Sequence, residues 1–274
     1  MDEKTKELLP APTRFPELNK ILERLVQGSR DCLEGNLAAV YLQGSFALGE
    51  ADEYSDVDFL VLTNDEVTED QLRALQQMHA GLHDVDVSWA QHLEGSYTPK
   101  DKFRRVDPER TPFLFLDNGA SRLELDSHCN SAVVRWILRE RGITLLGPEP
   151  KEMIDPVREE DLRREAMQAL REYAEWAPEP TEAGPMSRWK QPYLVLTFCR
   201  ILHTIENGHV ATKRTAADWA AEHLDPRWRS LIEQAVADRP DPWARVHQRA
   251  DVGLTNETLA FAQYALERGN SATT

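Results

Sequence analysis

A glycine-serine pair followed by two closely spaced aspartates constrains the fold of this chain more than any other feature. An apolar run at 37–42 leads to the pair at 44–45, and a second apolar run begins at Asp56-Val57-Asp58. Glycine permits a tight turn whose backbone amides point toward an anion. Because side chains alternate faces along a strand, Asp56 and Asp58 are expected on one face and Val57 on the other. The pattern predicts a strand, a tight turn, a short helix and a second strand.

Two carboxylates on one face of a strand predict a metal site. Like charges held this close are unfavourable unless a cation lies between them. Hard oxygen ligands on a rigid strand suit Mg²⁺ that carries nucleotide phosphates. The segment 83–89, with the sequence His-Asp-Val-Asp-Val-Ser-Trp, alternates in the same way. We expect it to form an adjacent strand with Asp84 and Asp86 on one face, and to supply the third carboxylate of the site.

The motif and its context resemble a known group of enzymes, the polymerase-beta-like nucleotidyltransferases. More narrowly, they resemble the aminoglycoside adenylyltransferases that modify streptomycin and spectinomycin. The resemblance rests on Gly44-Ser45, on Ser55-Asp56-Val57-Asp58 and on an acid within an alternating strand. It spans most of residues 37–268 and includes segments outside the motif: Leu145-Leu146-Gly147-Pro148, Arg200-Ile201, Gly208, Lys213 and Ala216-Ala217-Asp218-Trp219-Ala220.

The resemblance implies that three aspartates carry the chemistry. Asp56 and Asp58 would bind magnesium, expected as two ions, beneath the triphosphate of ATP. Asp86 would bind the second ion, accept the proton of the substrate hydroxyl, or both. Alternation alone leaves Asp84 equally well placed, and the family's Val-acid-Val-Ser frame is what selects Asp86.

The resemblance also implies five nucleotide-binding residues. Gly44 and Ser45 would hold the beta and gamma phosphates through backbone amides and a hydroxyl, with Ser55 as a neighbouring donor. Arg200 and Lys213 would contact the phosphates from the second half of the chain. Without the resemblance, a lone Gly-Ser pair is a weak signal, and each of the two cations would be read as an ordinary surface charge.

The charge balance bears on the partner. The chain carries 32 basic and 47 acidic residues, a net charge of -15, which repels phosphate backbones and argues against a nucleic-acid substrate. A small cationic aminocyclitol or aminoglycoside agrees better with this charge.

Cys32, Cys129 and Cys199 have neither disulfide nor zinc-site spacing. Because no apolar run has the length of a signal peptide or a membrane span, we expect a cytoplasmic protein without a membrane partner, and the sequence is compatible with a monomer.

The hydrophobic periods and the resemblance together predict an α+β fold with two domains. We expect a nucleotidyltransferase domain at 1–150, with a mixed β-sheet flanked by helices, and an α-helical bundle domain at 151–274 that contributes nucleotide and substrate contacts. Prolines and charges interrupt every period near this boundary. Strands are predicted at 37–42, 57–62, 84–90, 113–116 and 122–125. Helices are predicted from residue 15 and over 68–80, 131–141, 162–173, 194–205, 215–223, 227–238, 242–249 and 257–268.

These expectations converge on one reaction, the transfer of AMP from Mg-ATP to a hydroxyl of spectinomycin, streptomycin or both, with release of pyrophosphate. Two alternatives share the fold. The chain could adenylylate a protein or another small molecule, or it could be a nucleotide-binding regulator that has lost catalysis. The joint presence of Asp56, Asp58 and Asp86 argues against the regulator.

Overall fold

The computed structural model describes residues 11–272. The chain divides into two compact units, one ending at Pro156 and the other beginning at Val157. A boundary after residue 150 would cut a short helix, Pro150–Met153. That helix stays with the first unit because the residue that follows it, Ile154, is 1% exposed within that unit's core.

The first unit is built on a six-stranded sheet. Its strands are β1 (Leu37–Leu42), β2 (Val57–Thr63), β3 (Leu93–Pro99), β4 (Phe113–Leu116), β5 (Leu123–Asp126) and β6 (Ile143–Leu146). Its helices are α1 (Pro16–Leu33), α2 (Gly44–Leu48), α3 (Glu69–His83), α4 (Lys100–Phe103), α5 (Ala132–Arg141) and α6 (Pro150–Met153). The strand order is β5-β4-β3-β2-β1-β6. Only β2 and β3 run parallel among the paired strands, so the predicted mixed sheet is confirmed.

The alternation of β2 separates the two faces of the sheet as predicted. Val57, Phe59 and Val61 are fully buried in a core that includes residues of α1 and α3. Leu60 and Leu62 belong to a second core, with residues of α4 and α5. Residue 58 shares its face with Leu60 and Leu62 because side chains two apart on a strand point the same way. The Asp58 carboxylate therefore lies on the α4 and α5 side of the sheet.

The predicted strand at 84–90 is wrong. Helix α3 continues to His83, a turn follows, and residues Ser88–His92 form a 3-10 helix. The backbone bonds here are local, since the Val85 N–H donates to the Leu82 carbonyl and the Ala90 N–H to the Val87 carbonyl. The apolar alternation has another cause, because Trp89 packs against Phe15 and Phe46 with ring centroids 5.1 and 5.9 Å away.

The strand that replaces it, β3, has an atypical composition. Its sequence, Leu-Glu-Gly-Ser-Tyr-Thr-Pro, contains glycine and proline, which are poor strand formers. Gly95 pairs with Phe59 in the parallel register. A side chain on Gly95 would collide with the Phe59 backbone carbonyl and ring. Gly95 is thus required by the neighbouring strand, which local sequence patterns do not reveal.

The second unit is a helical bundle. Its helices are α7 (Glu159–Trp176), α8 (Lys190–Asn207), α9 (Lys213–His223), α10 (Arg229–Asp238) and α11 (Val252–Ala272). Helix α8 packs against all four others, and most of its residues are buried. The helix predicted at 242–249 is wrong, because only a 3-10 turn, Trp243–Arg245, forms there. The backbone bonds there join residues three apart, as from the Arg245 N–H to the Pro242 carbonyl, and Arg249 already forms a β-bridge with Ser187.

Among residues 11–272, no helix is both long enough and apolar enough to cross a bilayer.

Candidate active site

The turn between β1 and α2 fits closely around Asp58. The N–H of Gln43 donates to the Asp58 carbonyl over 2.8 Å, which ties the end of β1 to the start of β2. Gly44 follows with a φ of +59°, in the left-handed region that favours glycine. A Cβ atom on Gly44 would overlap the Asp58 carboxylate. Glycine is therefore required here for its conformation and for the space that Asp58 occupies.

The two predicted serines have different environments. Ser45 is the second residue of α2 and is half-buried. Ser55 is 5% exposed; its hydroxyl donates to Asp52 Oδ1 and accepts from the Asp52 N–H, both over 3.0 Å. Ser55 thus closes the turn that precedes Asp56, and its hydroxyl is engaged there.

The third carboxylate near this turn belongs to Glu94. In the parallel pairing of β2 with β3, Asp58 is directly opposite Glu94. Paired residues on neighbouring strands point to the same face, and the strands are about 4.8 Å apart. The Glu94 side chain is only 14% exposed. The two carboxylates therefore lie side by side on the α4 and α5 side of the sheet.

Asp86 does not occupy the strand position on which its predicted role depended. It is exposed and lies in the turn after α3. The alternating segment predicts a strand with Asp84 and Asp86 on one face, and the family's Val-acid-Val-Ser frame selects Asp86. Sequence reasoning missed Glu94, although Leu93-Glu94-Gly95-Ser96 offers a related frame of apolar residue, acid, small residue and serine. The weak strand propensity of Gly95 concealed that signal.

Asp56 lies directly before β2 and is held by the β4–β5 hairpin. The Asn118 side-chain amide donates to Asp56 Oδ1, and its carbonyl oxygen lies 3.0 Å from His92 Nδ1. The predicted hairpin with an Asn118-Gly119 turn is confirmed, and Gly119 has the positive φ, 79°, that such turns favour. The tip of the hairpin therefore orients one acid of the site.

Glu94 is held by His128, which lies just after β5. His128 Nε2 lies 3.1 Å from Glu94 Oε1, and the imidazole stacks on Phe115 with ring centroids 5.2 Å apart. The pKa of His128 is raised, first by its hydrogen bond to Glu94, against the lowering effect of burial; the charges of Glu94, Asp58 and Asp126 raise it further. The negative charges of Glu94 and Asp58 therefore both favour the protonated imidazole of His128.

The carboxylates of Asp56 and Asp58 are suited to magnesium that is bound together with a nucleotide. Within the part of the chain described, no three His, Cys, Asp or Glu side chains form a cluster that could hold a metal ion. Magnesium is commonly bound by one or two carboxylates, with waters and substrate phosphates completing its octahedron. Asp56 and Asp58 would supply two hard oxygen ligands at the start of β2. The residues present agree with a shared protein-phosphate site and not with a cage built by the protein alone.

The two predicted cations lie in the second unit. Arg200 is half-buried on α8, and Lys213 is the first residue of α9, after the N-cap residue Thr212. The Thr212 hydroxyl accepts from the Thr215 N–H over 3.0 Å, which fixes the start of α9. Helices α8 and α9 pack against each other. The assignment of both cations to the nucleotide phosphates stays a prediction.

Two family profiles match the chain, one in each half. A profile described as "Nucleotidyltransferase domain" matches residues 17–112. A profile described as "Aminoglycoside adenylyltransferase, C-terminal domain" matches residues 152–267. The first match contains Gly44, Asp58 and Glu94, and the second contains Arg200 and Lys213.

Curated relatives align over most of the chain. An aminoglycoside (3'') (9) adenylyltransferase from Klebsiella pneumoniae is 30% identical over 253 residues, covering 87% of this chain and 89% of the relative. A spectinomycin 9-adenylyltransferase from Campylobacter jejuni is 22% identical, covering 85% of this chain and 92% of the relative.

A solved structure shares the fold. It is a crystal structure of spectinomycin adenyltransferase AAD(9) from Enterococcus faecialis with ATP and spectinomycin, and it superimposes with a TM-score of 0.69 at 16% identity. The match covers 92% of this chain and 98% of the other. At this identity the likeness shows the fold alone.

Proposed function

The chain belongs to the aminoglycoside adenylyltransferase family, and we propose that it transfers AMP from Mg-ATP to a hydroxyl of spectinomycin, streptomycin or both. The observation that carries the proposal is the pairing of Asp58 with Glu94 on parallel strands, next to Asp56 and beside the Gly44 turn. Transfer needs charge neutralisation on the phosphates and a base near the attacking hydroxyl. Asp56 and Asp58 would serve the first requirement through the metal, and Glu94 would serve the second as the base.

Asp56 and Asp58 are the proposed metal ligands. Bound magnesium would neutralise the triphosphate and stabilise the pyrophosphate leaving group. The backbone of the Gly44-Ser45 turn would face the beta and gamma phosphates, since a glycine turn can direct several amides at one anion. The Asn118 bond to Asp56 supports this role, because hydrogen bonds to a ligating carboxylate fix its orientation.

Glu94 is the proposed general base, in place of Asp86. A base must come within hydrogen-bond distance of the hydroxyl that it deprotonates. Glu94 satisfies this requirement better because it shares a face with Asp58, whereas Asp86 is exposed in a turn. The substrate oxygen would attack the alpha phosphorus, its proton would pass to the Glu94 carboxylate, and the bond to pyrophosphate would break.

Arg200 and Lys213 are proposed to add positive charge at the nucleotide phosphates. The support is the family membership together with the position of both residues inside the matched C-terminal profile. An arginine can bind two phosphate oxygens at once, whereas a lysine acts as a point charge. A cationic acceptor agrees with the net charge of -15.

The test is a direct assay of AMP transfer. The full chain is incubated with magnesium, ATP and a panel of aminoglycosides, and products are identified by mass. Spectinomycin or streptomycin is expected to gain one AMP group, and the Glu94→Gln variant is expected to produce it far more slowly. A wild-type chain that binds ATP but leaves the whole panel unmodified would contradict the proposal and favour a different acceptor.

A further inference from the structure

The turn after β5 holds His128 in place from several sides. The backbone N–H of His128 donates to Asp126 Oδ1 over 2.6 Å, and the neighbouring Cys129 is 2% exposed. Asn130 is fully buried, and its side-chain amide donates to Asp107 Oδ2 over 2.9 Å and to the Thr111 carbonyl over 2.8 Å. The backbone that carries His128 is therefore anchored to the loop that precedes β4.

The imidazole is fixed independently of its backbone. One ring face stacks on Phe115, which is 6% exposed, and Nε2 lies 3.1 Å from Glu94 Oε1. A glutamate has several rotatable bonds and loses substantial side-chain freedom when it is held in one rotamer. A donor on a rigid, stacked ring reduces that freedom before substrate arrives. One carboxylate oxygen, Oε1, accepts this bond, which leaves Oε2 to meet a substrate proton.

We propose that His128 is a positioning residue that holds the Glu94 carboxylate in the orientation in which it accepts the proton of the substrate hydroxyl. The proposal rests on the proposed function, because it gives Glu94 the role of the base. It requires a proton on Nε2, which both the neutral tautomer protonated there and the imidazolium provide.

The exposure of the two partners distinguishes this role from a purely structural one. The His128 side chain is 58% exposed, whereas that of Glu94 is 14% exposed. Because more than half of the imidazole faces solvent, water can replace its hydrogen bond to Glu94 when the ring is removed, so the free energy of unfolding should change little. Orientation of a reacting group, in contrast, has a large effect on rate, because small displacements of a base strongly reduce turnover. Loss of the imidazole should therefore affect catalysis more than stability.

The first test separates rate from binding and from stability. His128→Ala is expected to lower kcat about tenfold, a typical effect of losing a supporting hydrogen bond, with KM for ATP and for the acceptor within about twofold and an unchanged melting temperature. His128→Gln, whose amide can also donate to Glu94, is expected to recover most of the lost kcat. His83→Ala is the matched control, because His83 ends α3 on the opposite face of the sheet.

The second test does not depend on the acceptor. Crystal structures of the wild type and His128→Ala with magnesium and a non-hydrolysable ATP analogue are compared at Glu94. One Glu94 rotamer is expected in the wild type and several in the variant. An identical, single Glu94 rotamer in both structures would overturn the proposal, as would a His128→Ala variant with wild-type kcat. An unmodified aminoglycoside panel with a loosened Glu94 in the variant would instead contradict only the proposed function.

Discussion

Gly44 and Asp58 lie so close together that any side chain on residue 44 would overlap the Asp58 carboxylate. The two residues are also coupled through the main chain, because the N–H of the preceding Gln43 donates to the Asp58 carbonyl. The turn proposed to face the nucleotide and the acid proposed to bind its metal therefore form one structural unit. A change in the turn should displace the acid.

Gly44→Ala is expected to abolish AMP transfer and to destabilise the fold by at least about 2 kcal/mol, because backbone strain and overlap with Asp58 add together. Gly49→Ala is the matched control. Gly49 also has a positive φ, +80°, but a Cβ atom there would meet nothing within 4 Å. Strain alone should cost it about 1 kcal/mol. Urea unfolding and the transfer assay measure both effects, and equal losses in the two variants would show that the overlap with Asp58 has no consequence.

The two candidates for the third acid can be compared directly. Glu94→Gln is expected to lower kcat by about 10²- to 10⁴-fold, the usual contribution of a general base, while nucleotide binding persists. Asp86→Asn should retain nearly full turnover, since the residue is exposed in a turn. Steady-state kinetics of both variants on the same acceptor decide the question. Loss of turnover in Asp86→Asn with an active Glu94→Gln would restore the role first predicted for Asp86.

Asn118→Ala should weaken Mg-ATP binding by about tenfold, because the amide that orients Asp56 is lost. Isothermal titration calorimetry with a non-hydrolysable analogue measures this without turnover. Ser121→Ala, in the same connection between β4 and β5, provides the control and should bind normally. Unchanged affinity in Asn118→Ala would mean that Asp56 keeps its orientation without the hairpin.

The stability of the first unit should fall in mild acid because of His79. Burial lowers the pKa of His79 from 6.5 to about 4, so the unfolded chain binds a proton on this residue at higher pH than the folded chain does. The free energy of unfolding should therefore decrease as pH falls from about 6.5 to 4, by up to about 3 kcal/mol.

The variant His79→Gln isolates this contribution, since glutamine can still reach the Tyr97 hydroxyl that lies 2.8 Å from His79 Nε2. The free energy of unfolding of each protein is measured by urea unfolding across this pH range. The decrease toward low pH should be larger in the wild type than in the variant. If the same pH dependence persists in the variant, other titratable groups cause it.

Much of the first unit follows from local sequence. Strand β1 was predicted with its observed bounds, and β2 lacked only Thr63, because continuous apolar runs bounded by turn residues mark buried strands. The Asn118-Gly119 turn likewise identified the hairpin from its chemistry. The face of Asp58 could be predicted for the same reason, since Asp58 is the second residue of β2 and its face follows from alternation within that strand. The roles of Asp56 and Asp58 as metal ligands stay predictions.

Strand β3 and the acid it carries could not be found this way. The glycine at 95 is explained only by the Phe59 backbone beside it, and the burial of Trp89 only by Phe15 and Phe46. These causes lie far away in the sequence. A pattern read along the chain therefore favoured the valine-rich segment as the strand, and the role predicted for Asp86 depended on that strand.

The β4–β5 hairpin touches two carboxylates with different proposed tasks, through Asn118 at its tip and His128 just beyond its second strand. Its register pairs Leu116 with Leu123 and Phe113 with Asp126. A one-residue slip in a hairpin reverses the face of every side chain that follows. A single residue inserted in β4 would thus displace both Asn118 and His128, which follow it, so one change in the length of this strand would remove the hydrogen bonds to Asp56 and Glu94 together.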